Sequence, residues 1–198
     1  MAYSKFQLSD VIDNFGLTYG EENLFPNVKP LKINEQWRKL LEMGKELALP
    51  FGSEDARKSG IVFPILMDLR ERNNKEVMVY TGLSLDADKK LGLNGECDFI
   101  LARTKYTQMI SAPIFTLVEA ERHDFELGQG QCAAQMVGAS VYNIKHKTPK
   151  TIIYGCVTTG LGWKFMRLAD KELCLDTETY TLEKLDEIVG IFQYIVNS

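Results

Sequence analysis

Two apolar runs, residues 97–102 and 114–119, constrain this chain more than any other feature. A strand with one wet face alternates apolar and polar side chains, because successive residues point to opposite faces. These runs do not alternate, so they read as central strands covered on both sides, and helices are the usual cover. Each run carries acid at a polar end. Asp98 stands where the first begins, and Glu119 and Glu121 stand where the second ends. Residues i and i+2 of a strand share a face, so Glu119 and Glu121 are expected to project together, with Asp98 meeting them if the strands are neighbours. Three carboxylates held together repel one another unless a cation joins them. An oxygen-rich cluster of this kind suits Mg²⁺ or Mn²⁺. Strand ends are also polar simply where they meet solvent, and Glu-Ala-Glu alone is a weak motif.

Helical periodicity fills the flanks. Residues 4–15 read as a short amphipathic helix with Phe6, Val11, Ile12 and Phe15 on one side. Pro26 and Pro30 mark a connector. Asn34 is a good N-cap for a helix in which Trp37, Leu40, Leu41 and Leu47 recur, and Pro50 and Gly52 should stop it. Ser53 starts a longer helix, with Glu54 and Asp55 favourable in its first turn and Ile61, Ile65, Leu66 and Leu69 inward. Pro64 should kink or divide that helix. From Val77 the period changes to that of a strand. Residues 128–145 form a helix rich in small residues. Two strands, 151–158 and 163–168, flank a Thr159-Gly160-Leu161-Gly162 turn. Residues 173–175 suggest a short edge strand, and Thr181 caps a last amphipathic helix. The order is helices, three strands, a helix, two or three strands and a helix, which is a mixed α/β sandwich. A length of 198 residues favours one domain, with 1–52 as a helical addition to a core over 53–198.

The net charge of −4 argues against a strongly basic nucleic-acid binder and leaves room only for a local patch. Arg103, Lys105, Lys145, Lys147 and Lys150 are the candidates for one. No run of about 18 apolar residues exists and the N-terminus lacks the pattern of a signal peptide, so a cytoplasmic protein with no membrane span is expected. Cys97, Cys132, Cys156 and Cys174 are widely spaced without a CxxC pair, which suits buried reduced thiols rather than zinc.

Several motifs combine in one order. They are Leu93-Asn94-Gly95-Glu96-Cys97-Asp98-Phe99, Val118-Glu119-Ala120-Glu121, Gly128-Gln129-Gly130-Gln131-Cys132, and Tyr154 to Gly160 with Trp163-Lys164-Phe165. Together they resemble the PD-(D/E)XK superfamily, the restriction-endonuclease-like fold, and more closely an uncharacterised bacterial family assigned to it. The resemblance runs from residue 53 to residue 197. It implies a mixed sheet core flanked by helices and a nuclease that uses Mg²⁺ or Mn²⁺ to hydrolyse phosphodiester bonds. It also implies that Asp98, Glu119 and the Ala120 carbonyl hold the metal, that Glu54 adds a helical acid, and that Gln131 lies near the metal or the nucleic-acid backbone. The superfamily's lysine falls at Glu121, which carries the opposite charge and would bind metal or accept a proton. Two readings therefore stay open: a magnesium-dependent endonuclease, and a catalytically silent relative that binds nucleic acid or a protein. A homodimer is compatible with both. Gln135 and Tyr142 share the helical face of Gln131. Trp163 and Tyr154 read as core, and His123 as a loop residue.

Overall fold

The computed structural model describes residues 2–198 apart from Gly52, Tyr106, 122–124 and Lys150, and without the side chain of Phe51. In chain order the elements are α1 (Leu8–Phe15), β1 (Thr18–Glu22), α2 (Glu35–Phe51), α3 (Glu54–Arg57), a π turn (Lys58–Val62) and α4 (Phe63–Arg72). They continue as β2 (Val77–Ser84), β3 (Glu96–Arg103), β4 (Ile114–Ala120), α5 (Phe125–Lys145), β5 (Ile152–Thr158), β6 (Gly162–Ala169), β7 (Glu172–Asp176), β8 (Tyr180–Thr181) and α6 (Leu185–Asn197).

Among the described residues, eight strands form one mixed sheet in the order β1-β7-β6-β5-β4-β3-β2, with β8 also pairing β6. The pairs β1/β7 and β4/β5 are parallel and the others antiparallel. The two apolar runs are β3 and β4, adjacent and both inside the sheet rather than at an edge, and every residue of β4 is buried. Helices cover both faces. Phe99, Leu101, Phe115 and Val118 pack with residues of α4 and α6. Ile100, Leu117 and Val157 pack with α5 and the N-terminal segment. Alternate residues of one strand thus enter two separate cores, which is why neither run alternates in polarity.

Pro64 divides the 53–72 helix as its chemistry requires. It has no N–H to give, and its ring conflicts with the carbonyl four residues earlier. The chain answers with the π turn, in which the Phe63 N–H donates to the Lys58 carbonyl. The same segment packs unusually close to α2, because Gly44 faces Gly60 and a Cβ on Gly44 would lie 2.0 Å from the Gly60 oxygen.

Several local expectations need correction. Residues 4–15 are not one helix: a single 3-10 turn over Tyr3–Lys5 precedes α1. Thr18–Glu22 is a strand that its mostly exposed, polar sequence does not announce. Pro50 does not stop α2, which runs to Phe51, while Gly52 lies outside the described residues. On α2 only part of the apolar set turns inward: Leu41 is buried, whereas Leu40 and Leu47 are exposed. Residues 173–175 belong to β7, which is no edge strand, since β1 pairs along its outer side. The edge at that end falls instead to β1, contributed from the far N-terminus.

Candidate functional site

The acids meet where the ladder opens. The β3/β4 pairing ends at Phe99 opposite Val118, so Asp98 and Glu119 form the next facing pair. On the other side the β2/β3 ladder skips Gly82, opposite Asp98, where φ is 61°, and resumes in the same register. A buried N–H without a ladder partner must find another acceptor. Here the carboxylates take that role. The Asp98 N–H donates to Glu119 Oε1 at 3.1 Å, and the Ala120 N–H donates to Asp98 Oδ2 at 2.8 Å. Each acid therefore holds the other strand's backbone, and the clasp replaces ladder bonds with two carboxylates side by side.

A cation completes the arrangement, and it comes from outside the sheet. Lys58 Nζ lies 2.7 Å from Asp98 Oδ1 and 2.6 Å from Glu54 Oε1. Glu54 thus joins the site through the lysine. The Glu54–Lys58 pair is one helical turn apart, on a segment whose start is fixed by Ser53, whose Oγ accepts the Ala56 N–H at 3.0 Å. From the α5 side the Gln131 amide donates to Glu119 Oε2. The Gln135 side chain is fully buried beside Glu119 and pulls its carboxyl down, although neither of its polar atoms reaches full hydrogen-bond geometry.

Burial dominates the titration of this cluster. Glu119 is 1% exposed. Desolvation first, and the neighbouring Asp98 charge second, push its carboxyl up to about 8. Burial also raises Asp98, against the opposing pull of Lys58 and the Ala120 N–H. Desolvation alone would lower Lys58, but its bonds to Asp98 and Glu54 prevail and raise it. Lys58 is therefore a fixed cation, and the Asp98–Glu119 pair holds a proton to higher pH than free carboxyls do. Burial likewise raises the Cys97 and Cys132 thiols, so neither is poised as a nucleophile.

Glu121 follows Glu119 onto the α5 side of the sheet, as the i, i+2 rule puts it, but stays out of the clasp. The strand ends at Ala120, and the Glu121 N–H donates to the Thr158 carbonyl at 2.8 Å. Its side chain turns toward the start of α5, against Gly128, where an added Cβ would come within 2.6 Å of Glu121 Cγ. Among the described residues no hydrogen bond links Glu121 to Asp98 or Glu119. Both side chains face α5, Glu119 at Gln131 and Glu121 one turn earlier at Gly128, so they share a face but contact different turns of the helix. Ala120 contributes its N–H to the clasp and points its side chain into the core. Tyr142 donates to the Ile110 carbonyl at 2.8 Å and stacks on His146, away from the clasp. Trp163 and Tyr154 are buried in the core. His123 and Lys150 lie outside the described residues. Of the remaining basic candidates, Arg103 bonds the Val196 carbonyl and Lys145 the Ala87 carbonyl.

Lys58 is the residue that reasoning on motifs missed. Its signal was present as a Lys four residues after the helical acid Glu54, behind a Ser N-cap.

Asp98 and Lys58 open onto a cleft of about 530 Å³, also lined by Asp55, Ser59, Phe63, Thr81, Gly82 and Glu96. Among the described residues no group of three or more His, Cys, Asp or Glu side chains is arranged to hold a metal ion. None of the described helices is long and apolar enough to cross a membrane. Comparisons with protein-family models, with curated proteins and with solved structures find no match to this chain.

Proposed function

We propose that this chain is a metal-dependent phosphodiester hydrolase of restriction-endonuclease-like fold, acting on nucleic acid at the Asp98–Glu119–Lys58 cluster. The observation that carries the reading is the buried carboxylate pair at the strand opening. Glu119 keeps a carboxyl pushed up to about 8 even with Lys58 close by, so the pair is short of positive charge. A divalent cation supplies what is missing, and hard oxygen donors fit Mg²⁺ or Mn²⁺. Asp98 and Glu119 would hold it. When bound, such an ion polarises the phosphate and lowers the pKa of its water.

The chain's own residues divide the remaining work. Gln131 and the Asp98 N–H lock the two oxygens of Glu119, so the carboxylate enters the site in one orientation. Glu54 holds Lys58 from behind while Asp98 holds it in front. That double contact keeps the ammonium charged, which suits it to stabilise negative charge growing on the phosphate oxygens and disqualifies it as a general base. In this way a helical lysine stands in for the strand lysine that Glu121 replaces.

A second reading has its own observation. Lys58 already engages an oxygen of Asp98, and Glu119 is 1% exposed, as in a site closed for structural use. A protein of that kind would bind nucleic acid or a partner without cleaving it. Incubating the protein with labelled DNA and RNA under Mg²⁺ or Mn²⁺ separates the two. Cleavage that disappears in both Asp98→Asn and Glu119→Gln supports the hydrolase. Intact substrate under every metal, or cleavage unchanged in Glu119→Gln, removes it.

A further inference from the structure

The cleft beside Asp98 and Lys58 is lined by residues of unlike chemistry. One is Phe63, which is 37% exposed at the start of α4. A regular α-helix would separate positions 58 and 63 by about 140° around the axis, given about 3.6 residues per turn. The π turn removes much of that divergence by closing an i→i+5 bond from the Phe63 N–H to the Lys58 carbonyl. Pro64 therefore brings an aromatic ring and the cluster's cation to one cleft, and π turns of this kind recur at functional sites.

Gly82 lines the same cleft. An added Cβ there would meet only Glu96 Oε1, at 3.6 Å, so the missing side chain leaves open space beneath that carboxylate. The Glu96 side chain has no hydrogen bond or ion pair among the described residues. A cleft that holds an exposed aromatic ring and a bare glycine suits a flat ligand. A free carboxylate at its edge selects a ligand that brings a hydrogen-bond donor.

We infer that Phe63, Gly82 and Glu96 form a base-binding subsite next to the phosphate position. It takes a nucleic-acid base by stacking on Phe63 and prefers, among pyrimidines, cytosine to thymine. Stacking on an aromatic side chain is indifferent to base identity. The choice comes from Glu96, which accepts from the cytosine N4 amino group and repels the thymine O4 carbonyl. This inference rests on the phosphodiester reading for its place in the reaction.

The test uses deoxycytidine and thymidine as free nucleosides, titrated into the full chain and followed by amide chemical shifts. Because neither probe carries phosphate, the outcome does not depend on metal or on cleavage. Saturable shifts at Phe63, Gly82 and Glu96 are expected, with deoxycytidine bound roughly tenfold more tightly than thymidine. Phe63→Ala should weaken both nucleosides about tenfold. Phe63→Leu keeps apolar bulk and should weaken them similarly, which guards against a folding defect in the alanine variant. Glu96→Gln should erase the preference. Absence of saturable binding, equal affinities in the wild type, or full affinity in Phe63→Leu would overturn the subsite. Nucleoside binding without any phosphodiester cleavage would instead overturn the hydrolase and leave the subsite standing.

Discussion

Glu119→Gln tests the electrostatics of the site through stability alone. The ordinary value for this carboxyl is 4.5, and in the folded chain it is pushed up to about 8, mainly by burial. The sign follows from proton linkage. Below the unfolded value both states carry the proton, and Glu119 adds no pH dependence. Between that value and about 8 only the unfolded chain releases it, so folding stability falls as pH rises. Above about 8 both states are ionised and the loss levels off. At about 1.36 kcal/mol per pH unit, the full loss is on the order of 5 kcal/mol, most of it accumulated by neutral pH. Glutamine cannot ionise, and a flipped Gln131 amide can still meet it, so the variant should lose this slope. Urea unfolding of wild type and Glu119→Gln across the range from mild acid to mild alkali measures the difference directly. The two stability curves should converge in acid and separate in alkali, with the variant the more stable. Parallel curves, or a wild type that gains stability with pH relative to the variant, would refute the account of Glu119 as a buried, protonated carboxyl.

Other expectations follow from the same geometry. Added Mg²⁺ or Mn²⁺ should raise the melting temperature of wild type more at alkaline than at acidic pH, because the ion must displace the Glu119 proton, and Glu119→Gln should blunt that response. Lys58→Met should destabilise the chain by roughly 2 kcal/mol, since Asp98 keeps its burial and loses its cation, and should abolish any cleavage; chemical unfolding and a nuclease assay read the two effects separately. Glu121→Lys should create no activity and leave the pH dependence of Glu119 in place, because the side chain points to Gly128 and not to the clasp. Gly44→Ala should cost about 2 kcal/mol or more by driving α2 away from Gly60, measured by thermal unfolding.

The sequence alone determines a good deal here. Runs without polar alternation demand a sheet covered on both faces, and β3 and β4 lie inside it, off both edges, for that reason. Asp98 and Glu119 fall opposite each other because their places at the ends of two adjacent antiparallel strands leave little other choice. Ser53, Pro64 and the 3.6 period likewise announce the helical segment and its division. Other features depend on distance across the fold. The strand over Thr18–Glu22 becomes one only because β7 offers it a parallel edge, and its own residues carry no strong signal. Glu121 shares the face of Glu119 but packs one turn earlier on α5, against Gly128, a placement set by where that helix lies on the sheet. Lys58 reaches Asp98 across 40 positions of sequence, through a π turn whose effect on side-chain direction no local pattern reports. Local rules act through backbone geometry over a few residues, whereas the charge balance of this site is set by groups that meet only when two helices and two strands have packed.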